Sequence, residues 1–237
     1  MNILIACEES QRVCTAFRER GHNAFSCDIQ QPSGGHPEWH ILGDVLKILN
    51  PVRQATGNQG IEFETMTGDE YAISQWDLII AHPPCTYLTV AGAANIPKHP
   101  ERIPKGFEAK EFFMQFIHAQ CRRICVENPV PMKRFGLPKY TQIVRPWMFG
   151  HNSNKPVCLW LIGLPELQST NIIDYQPDNV YWVHKKSGRK KCCSKWYNTG
   201  TNRHSLNRSK TFEGIAQAMA EQWGDEIEKE VQDNDER

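Results

Sequence analysis

No apolar run in this chain approaches the roughly 20 residues that a membrane-spanning helix needs, so no membrane partner is expected. Paired cysteine spacing is missing as well. The nine cysteines are odd in number and scattered, which speaks against a disulfide framework. No signal peptide precedes the strand-like opening "MNILIAC", so a reduced, cytoplasmic protein is expected. Cys192 and Cys193, with His184 and His204 nearby, lack the separated-pair spacing of a zinc site, and no metal is expected. Net charge is absent too, but only as an average over 27 basic and 27 acidic residues. The stretch from His184 to Lys210 carries nine lysines and arginines and no acid, a local charge of +9, whereas the tail "DEIEKEVQDNDER" reverses the sign. Such a basic segment, with Trp196, Tyr197 and Asn198 in it, suits a phosphate backbone. The end of the acidic tail is expected to fray.

What the chain does contain is an alternation of strand and helix signals. "NILIAC" reads as a strand, "QRVCTAFRERG" as a helix ending at Gly21, and "NAFSCDI" as a second strand ending at Asp28, which together make a β-α-β unit. A short helix is expected at "VLKILN", stopped by Pro51, and a hairpin around Thr67-Gly68-Asp69. A helix in "FEAKEFFMQFIHAQC" leads to the strand "RICVEN", and "YTQIVRPWMFG" and "PVCLWLIGL" read as two further strands paired at an edge. The loop from Thr86 to Gly106, with Pro97, Pro100 and Pro104, is long enough for a mobile lid. A last helix, "TFEGIAQAMAEQW", places Phe212, Ile215, Met219 and Trp223 on overlapping turns that pack back on the sheet. At 237 residues the expectation is one main α/β domain.

The most informative stretch is "WDLIIAHPPCTYLTVAG", Trp76 to Gly92. Leu78 to Ala81 have the length and branching of a buried strand, and proline cannot supply the amide that a ladder needs, so the strand ends there. Cys85 is thereby held just past a strand end. In open α/β sheets that edge is where ligands bind, and a cysteine on a stiffened loop there is either a nucleophile or a small buried residue after a turn. Asp28 ends the second strand, where acids bind ribose hydroxyls of nucleotide-like cofactors, and Asp44 in "GDV" follows a third strand. Glu127 ends the strand "RICVEN". Asp28, Cys85 and Glu127 fall on one presumed edge, and Asp44 is placed to face an adenine.

"PPC" after one strand and "ENP" after the next resemble, in that order, the Pro-Cys and Glu-Asn motifs of the cytosine C5 DNA methyltransferases, with "CDI" and "GDV" matching the ribose-side and adenine-side motifs. "NRSKTFEGIAQAMAEQW" is similar to the closing segment of compact phage or prophage members, for which the cytoplasm would be that of the bacterial host. The resemblance implies a Rossmann-like, S-adenosylmethionine-dependent methyltransferase fold with a mostly parallel sheet and helices on both faces. It implies a catalytic core over residues 1–163, a short basic segment over 164–208 in place of a target-recognition domain, a helix over 209–224 packing back, and an acidic tail over 225–237.

The resemblance also implies roles. Cys85 as thiolate adds to C6 of a flipped cytosine, Glu127 donates to or hydrogen-bonds N3, Asn128 orients loop and base, and Pro84 fixes the approach of the cysteine. S-adenosylmethionine falls to Asp28 and Ile29, Asp44 and Val45, Pro83, and the first loop, Cys7, Glu8, Glu9 and Ser10. That loop, "ACEESQRV", has no glycine where the family carries a glycine-rich turn. The family's Gln-x-Arg-x-Arg motif is absent as well, with Lys155 the cation in its place. DNA binding falls to Lys155, Lys185, Lys186, Arg189, Lys190, Lys191, Lys195 and Arg203. Two rival readings stay open: modification of a pyrimidine in RNA or in a free nucleotide, and a noncatalytic DNA-binding or host-interacting protein on the same scaffold.

Overall fold

The computed structural model describes residues 1–53, 58–177, 179–183, 187–194 and 210–235. Lys185, Lys186, Lys195 and Arg203 lie outside them, as do the side chain of Lys191 and the residues 236–237.

The strand β1, Asn2–Ala6, alternates its buried side chains between two apolar layers. Ile3 and Ile5 face one layer, Leu4 and Ala6 the other, as the two-residue period of a strand requires. The helix α1, Arg12–Glu19, covers the first layer with Val13 and Phe17, and returns the chain to β2, Asn23–Asp28, parallel to β1. The strand β3, His40–Leu42, extends the sheet outward beside β2. The expected helix "VLKILN" is a single 3-10 turn, Val45–Lys47, because Pro51 leaves no room for the turns that would repay nucleation. A small antiparallel sheet follows: β4, Val52–Arg53; β5, Gln59–Glu64; and β6, Glu70–Ile73, the last two forming the hairpin anticipated around Gly68.

The strand β7, Leu78–Ala81, is buried throughout and pairs in parallel with β1 on the side away from β2. The chain thus winds outward one way from β1 and then restarts the other way, which makes the gap between β1 and β7 a topological switch point. The helix α2, Arg102–Ile117, starts five residues before the sequence suggests, with Pro104 in its first turn. An amide there has no intrahelical partner in any case, so proline is no obstacle. Phe113 and Phe116 pack it on the second layer.

The strand β8, Ile124–Asn128, runs parallel to β7, while β10, Val157–Ile162, inserts antiparallel between β8 and β9, Gln142–Val144. The full order is β3-β2-β1-β7-β8-β10-β9, a mixed and largely parallel sheet. The described part of the basic segment contains a hairpin, β11, Asn179–Val183, with β12, Lys190–Ser194, where charge patterning alone suggests no regular structure. The final helix α3, Glu213–Asp235, packs Ile215, Met219 and Trp223 against α1 and the sheet. It continues through the tail expected to fray, since Ile227 is buried and its neighbours are good helix formers. Among the described residues no helix is long and apolar enough to cross a membrane.

Candidate functional site

The first strand-to-helix turn solves without glycine a problem that glycine usually solves. Cys7 and Gln11 both have φ near +60° (59° and 57°), a region costly for residues with a Cβ. Compensation comes from neighbouring hydrogen bonds. The Cys7 amide donates to the Cys27 carbonyl at 2.7 Å, and the Gln11 side chain donates to the His36 carbonyl at 2.7 Å and accepts from the His36 amide at 3.0 Å. Gly34 closes over Gln11, where an added Cβ would lie 2.5 Å from the Gln11 Cβ.

Glu8 is turned inward, 4% exposed, and its carboxylate accepts from the Val13 amide at 2.8 Å and the Cys14 amide at 3.2 Å. It therefore occupies the N-terminus of α1, which in many nucleotide-binding turns is left open for a ligand's anion. Burial pushes the Glu8 carboxyl upward, and His82 together with those two amides pulls it back. Glu8, expected in the first loop of the cofactor site, borders the cavity while its carboxylate caps α1.

That cavity, about 480 Å3, lies at the switch point. Its size suits a cofactor-sized molecule. Cys7 to Ser10 reach it from β1, Asp28 and Ile29 from β2, Gly43 to Val45 from β3, and His82, Pro84, Cys85 and Thr86 from β7. Phe112 of α2 and Lys210 and Thr211 ahead of α3 complete the wall. Asp28 accepts from the Gln30 amide at 2.9 Å through Oδ1, and Asp44 accepts from the Leu46 amide at 3.0 Å. Glu8, Glu9, Asp28 and Asp44 thus border the cavity together with His82 and Lys210, and Lys210 donates to Ser33 Oγ at 2.8 Å. The field inside favours a cationic ligand.

Cys85 opens half-buried onto this space. Burial raises its thiol above the ordinary 9.0, Glu127 adds to the rise, and Lys155 opposes it. Cys27 and Cys158, pushed up to about 12 chiefly by burial, are inert by comparison. Pro83, expected at the cofactor, is instead buried behind the cavity wall, where its carbonyl accepts from Asn128 Nδ2 at 2.8 Å. Asn128, 1% exposed, so ties the end of β8 to the cysteine loop, and its Oδ1 is buried without a hydrogen-bond partner among the described residues. Backbone bonds continue the tie, from Val90 to the Val130 carbonyl at 3.1 Å and from Met132 to the Leu88 carbonyl at 2.7 Å. The loop read as a mobile lid is stitched down over its first third.

Glu127 does not line the cavity. Its Oε2 lies 3.7 Å from His82 Nδ1, both side chains being largely buried at 15% and 11% exposure. Burial alone would raise the Glu127 carboxyl, but His82 and then Lys155 outweigh it and hold it below its ordinary range. Burial likewise disfavours charge on His82, yet Glu127, with Glu8 beyond, raises it above 6.5. Both shifts run toward the charged forms of the pair. The motif resemblance gives His82 no role, although a histidine between an apolar strand and two prolines is a polar group with nowhere to go but inward. Lys210 stands out in the sequence only as one member of a basic run, yet it forms part of the cavity wall.

Arg189 and Lys190 are exposed beside and on β12, and Lys155, just ahead of β10, lies close enough to Cys85, Glu127 and His82 to influence their charge. Among the described residues no group of three His, Cys, Asp or Glu side chains is placed to hold a metal ion. Compared with models of known protein families and with the curated proteins, the chain matches none.

Proposed function

We propose that the chain is an S-adenosylmethionine-dependent methyltransferase that acts on C5 of cytosine in DNA through a covalent bond from Cys85 to C6. The observation that carries this reading is the tie between the two motifs: Cys85 projects into a cavity at the sheet's switch point, and Asn128 Nδ2, one residue past Glu127, holds the same loop through the Pro83 carbonyl. The loop that carries the nucleophile and the strand that carries the acid are thereby held together, which supports a covalent attack on a ring.

The lining fits the cofactor. Asp28 stands where a ribose diol would be bound, and the excess of carboxylates suits a sulfonium. When bound, S-adenosylmethionine supplies an electrophilic methyl group. The protein's part is to raise electron density at C5. The Cys85 sulfur forms a bond to C6, the ring's π electrons shift toward N3, and Glu127 places a proton there. After transfer the C5 proton passes to a water molecule, the C5–C6 double bond re-forms and Cys85 is expelled as thiolate. Since C6 is hidden in a stacked duplex, the base is turned out to reach the cysteine.

Mass spectrometry of nucleosides from DNA incubated with the protein and isotopically labelled S-adenosylmethionine tests the reading directly. Labelled 5-methylcytosine is the expected product. A labelled base of another kind, or label appearing only in RNA or in free nucleotides, would replace it, and no transfer to any of them would leave the noncatalytic reading.

A further inference from the structure

His82 and Lys155 draw Glu127 toward its ionised form, which has no proton to give N3. His82 lines the cavity, its Nδ1 lies 3.7 Å from Glu127 Oε2, and both side chains are largely buried. Its Nε2 is buried with no hydrogen-bond partner among the described residues. Three charged groups face the ring: Glu127 from β8, Glu8 from the end of β1, and Lys155 ahead of β10. Two of the three are acidic.

Resting on the methyltransferase reading, we propose that His82 is a positioning residue that stores the proton Glu127 delivers to N3. As the sulfur of Cys85 bonds to C6, the C5–C6 π pair moves into a C4–C5 double bond and the C4–N3 π pair onto N3. Cys85 reacts as thiolate, its own proton having passed to solvent. N3 takes a proton from Glu127, which takes one from His82 Nδ1, leaving a neutral imidazole beside a carboxylate. When C5 passes its proton to a water molecule and Cys85 departs as thiolate, the N3 proton returns along the same two groups. No proton is gained or lost over the cycle by the pair. The arrangement answers a specific difficulty, since a carboxyl of ordinary acidity has almost no proton left at neutral pH, whereas a histidine drawn upward by Glu127 keeps its proton to higher pH.

The test is the pH dependence of single-turnover methylation, compared between the wild-type protein and His82→Gln. The alkaline limb of the wild-type profile should follow the loss of the His82 proton, on top of a rise as the Cys85 thiol ionises. In His82→Gln, Glu127 must find its own proton, so the alkaline fall should move to lower pH by about one unit or more, with KM values for DNA and cofactor within about threefold of wild type. A uniform drop in rate with an unmoved profile would overturn the proposal.

A measurement on the resting protein guards against a variant that folds badly. Histidine ring resonances should show His82 titrating above 6.5 in the wild type, and falling when Glu127→Gln removes its partner. A His82 titration that Glu127→Gln leaves in place also overturns the proposal. Absence of 5-methylcytosine with the wild-type protein sinks this proposal together with the reading beneath it. Methylation with an unshifted His82→Gln profile sinks the proposal alone.

Discussion

Cys85 has little freedom. Pro83 and Pro84 restrict the backbone before it, and its own carbonyl accepts from the Leu88 amide at 3.2 Å and the Thr89 amide at 3.3 Å. DNA carrying 5-fluorocytosine at the target should therefore trap the protein, because methyl transfer can proceed but fluorine cannot leave as a cation. A denaturation-resistant complex is expected only with S-adenosylmethionine present, mapping to Cys85 and abolished in Cys85→Ser. Full methylation of ordinary cytosine by Cys85→Ala would reduce the cysteine to a packing residue. Asp28 makes a quieter claim. If it binds the ribose, Asp28→Ala should weaken cofactor binding by about 1–3 kcal/mol, as for a charged hydrogen bond, while a folded variant of unchanged affinity would remove it from the site.

The helix α1 owes its start to a residue that the sequence assigns to the ligand. Glu8→Ala leaves the Val13 and Cys14 amides without their acceptor, and should lower folding stability by about 1–3 kcal/mol in chemical denaturation. Unchanged stability with a large drop in cofactor affinity would return Glu8 to ligand binding. Period-two burial in β1 and β7 and the run into two prolines are legible in the sequence because they depend on neighbours in the chain. The inward turn of Glu8 depends on positive φ at Cys7, which no pattern of residue types announces outside glycine. The same holds for α2, whose first turn tolerates a proline that suggests a loop. His82 and Glu127 are 45 positions apart in "AHPPC" and "VENP" and meet only because β7 and β8 are neighbours in register. The reversed direction of β10 is likewise a property of the sheet and not of "PVCLWLIGL".

At the scale of the molecule, two apolar layers sandwich one sheet, and all the groups discussed gather at a single edge of it. The basic stretch ahead of α3 is joined to that edge by Lys210 and Thr211, which line the cavity. If this stretch grips the DNA backbone, neutralising Lys190 and Lys191 together should weaken binding to most sequences alike and reduce the salt slope by about 0.9 for each phosphate that no longer has a cation beside it. A changed sequence preference at constant slope would make the segment a reader of bases. The stitching between the β7 and β8 loops has a different kind of consequence. Because amides and carbonyls make most of it, the exposed and half-exposed side chains at Thr86, Tyr87 and Val90 are not what holds the nucleophile in place. They are free to drift. A library varied at those three positions should stay mostly folded and reactive while its preferred base context changes, whereas variation at Asn128 should destroy both. The rim of the site is thus evolvable in a way that its floor is not.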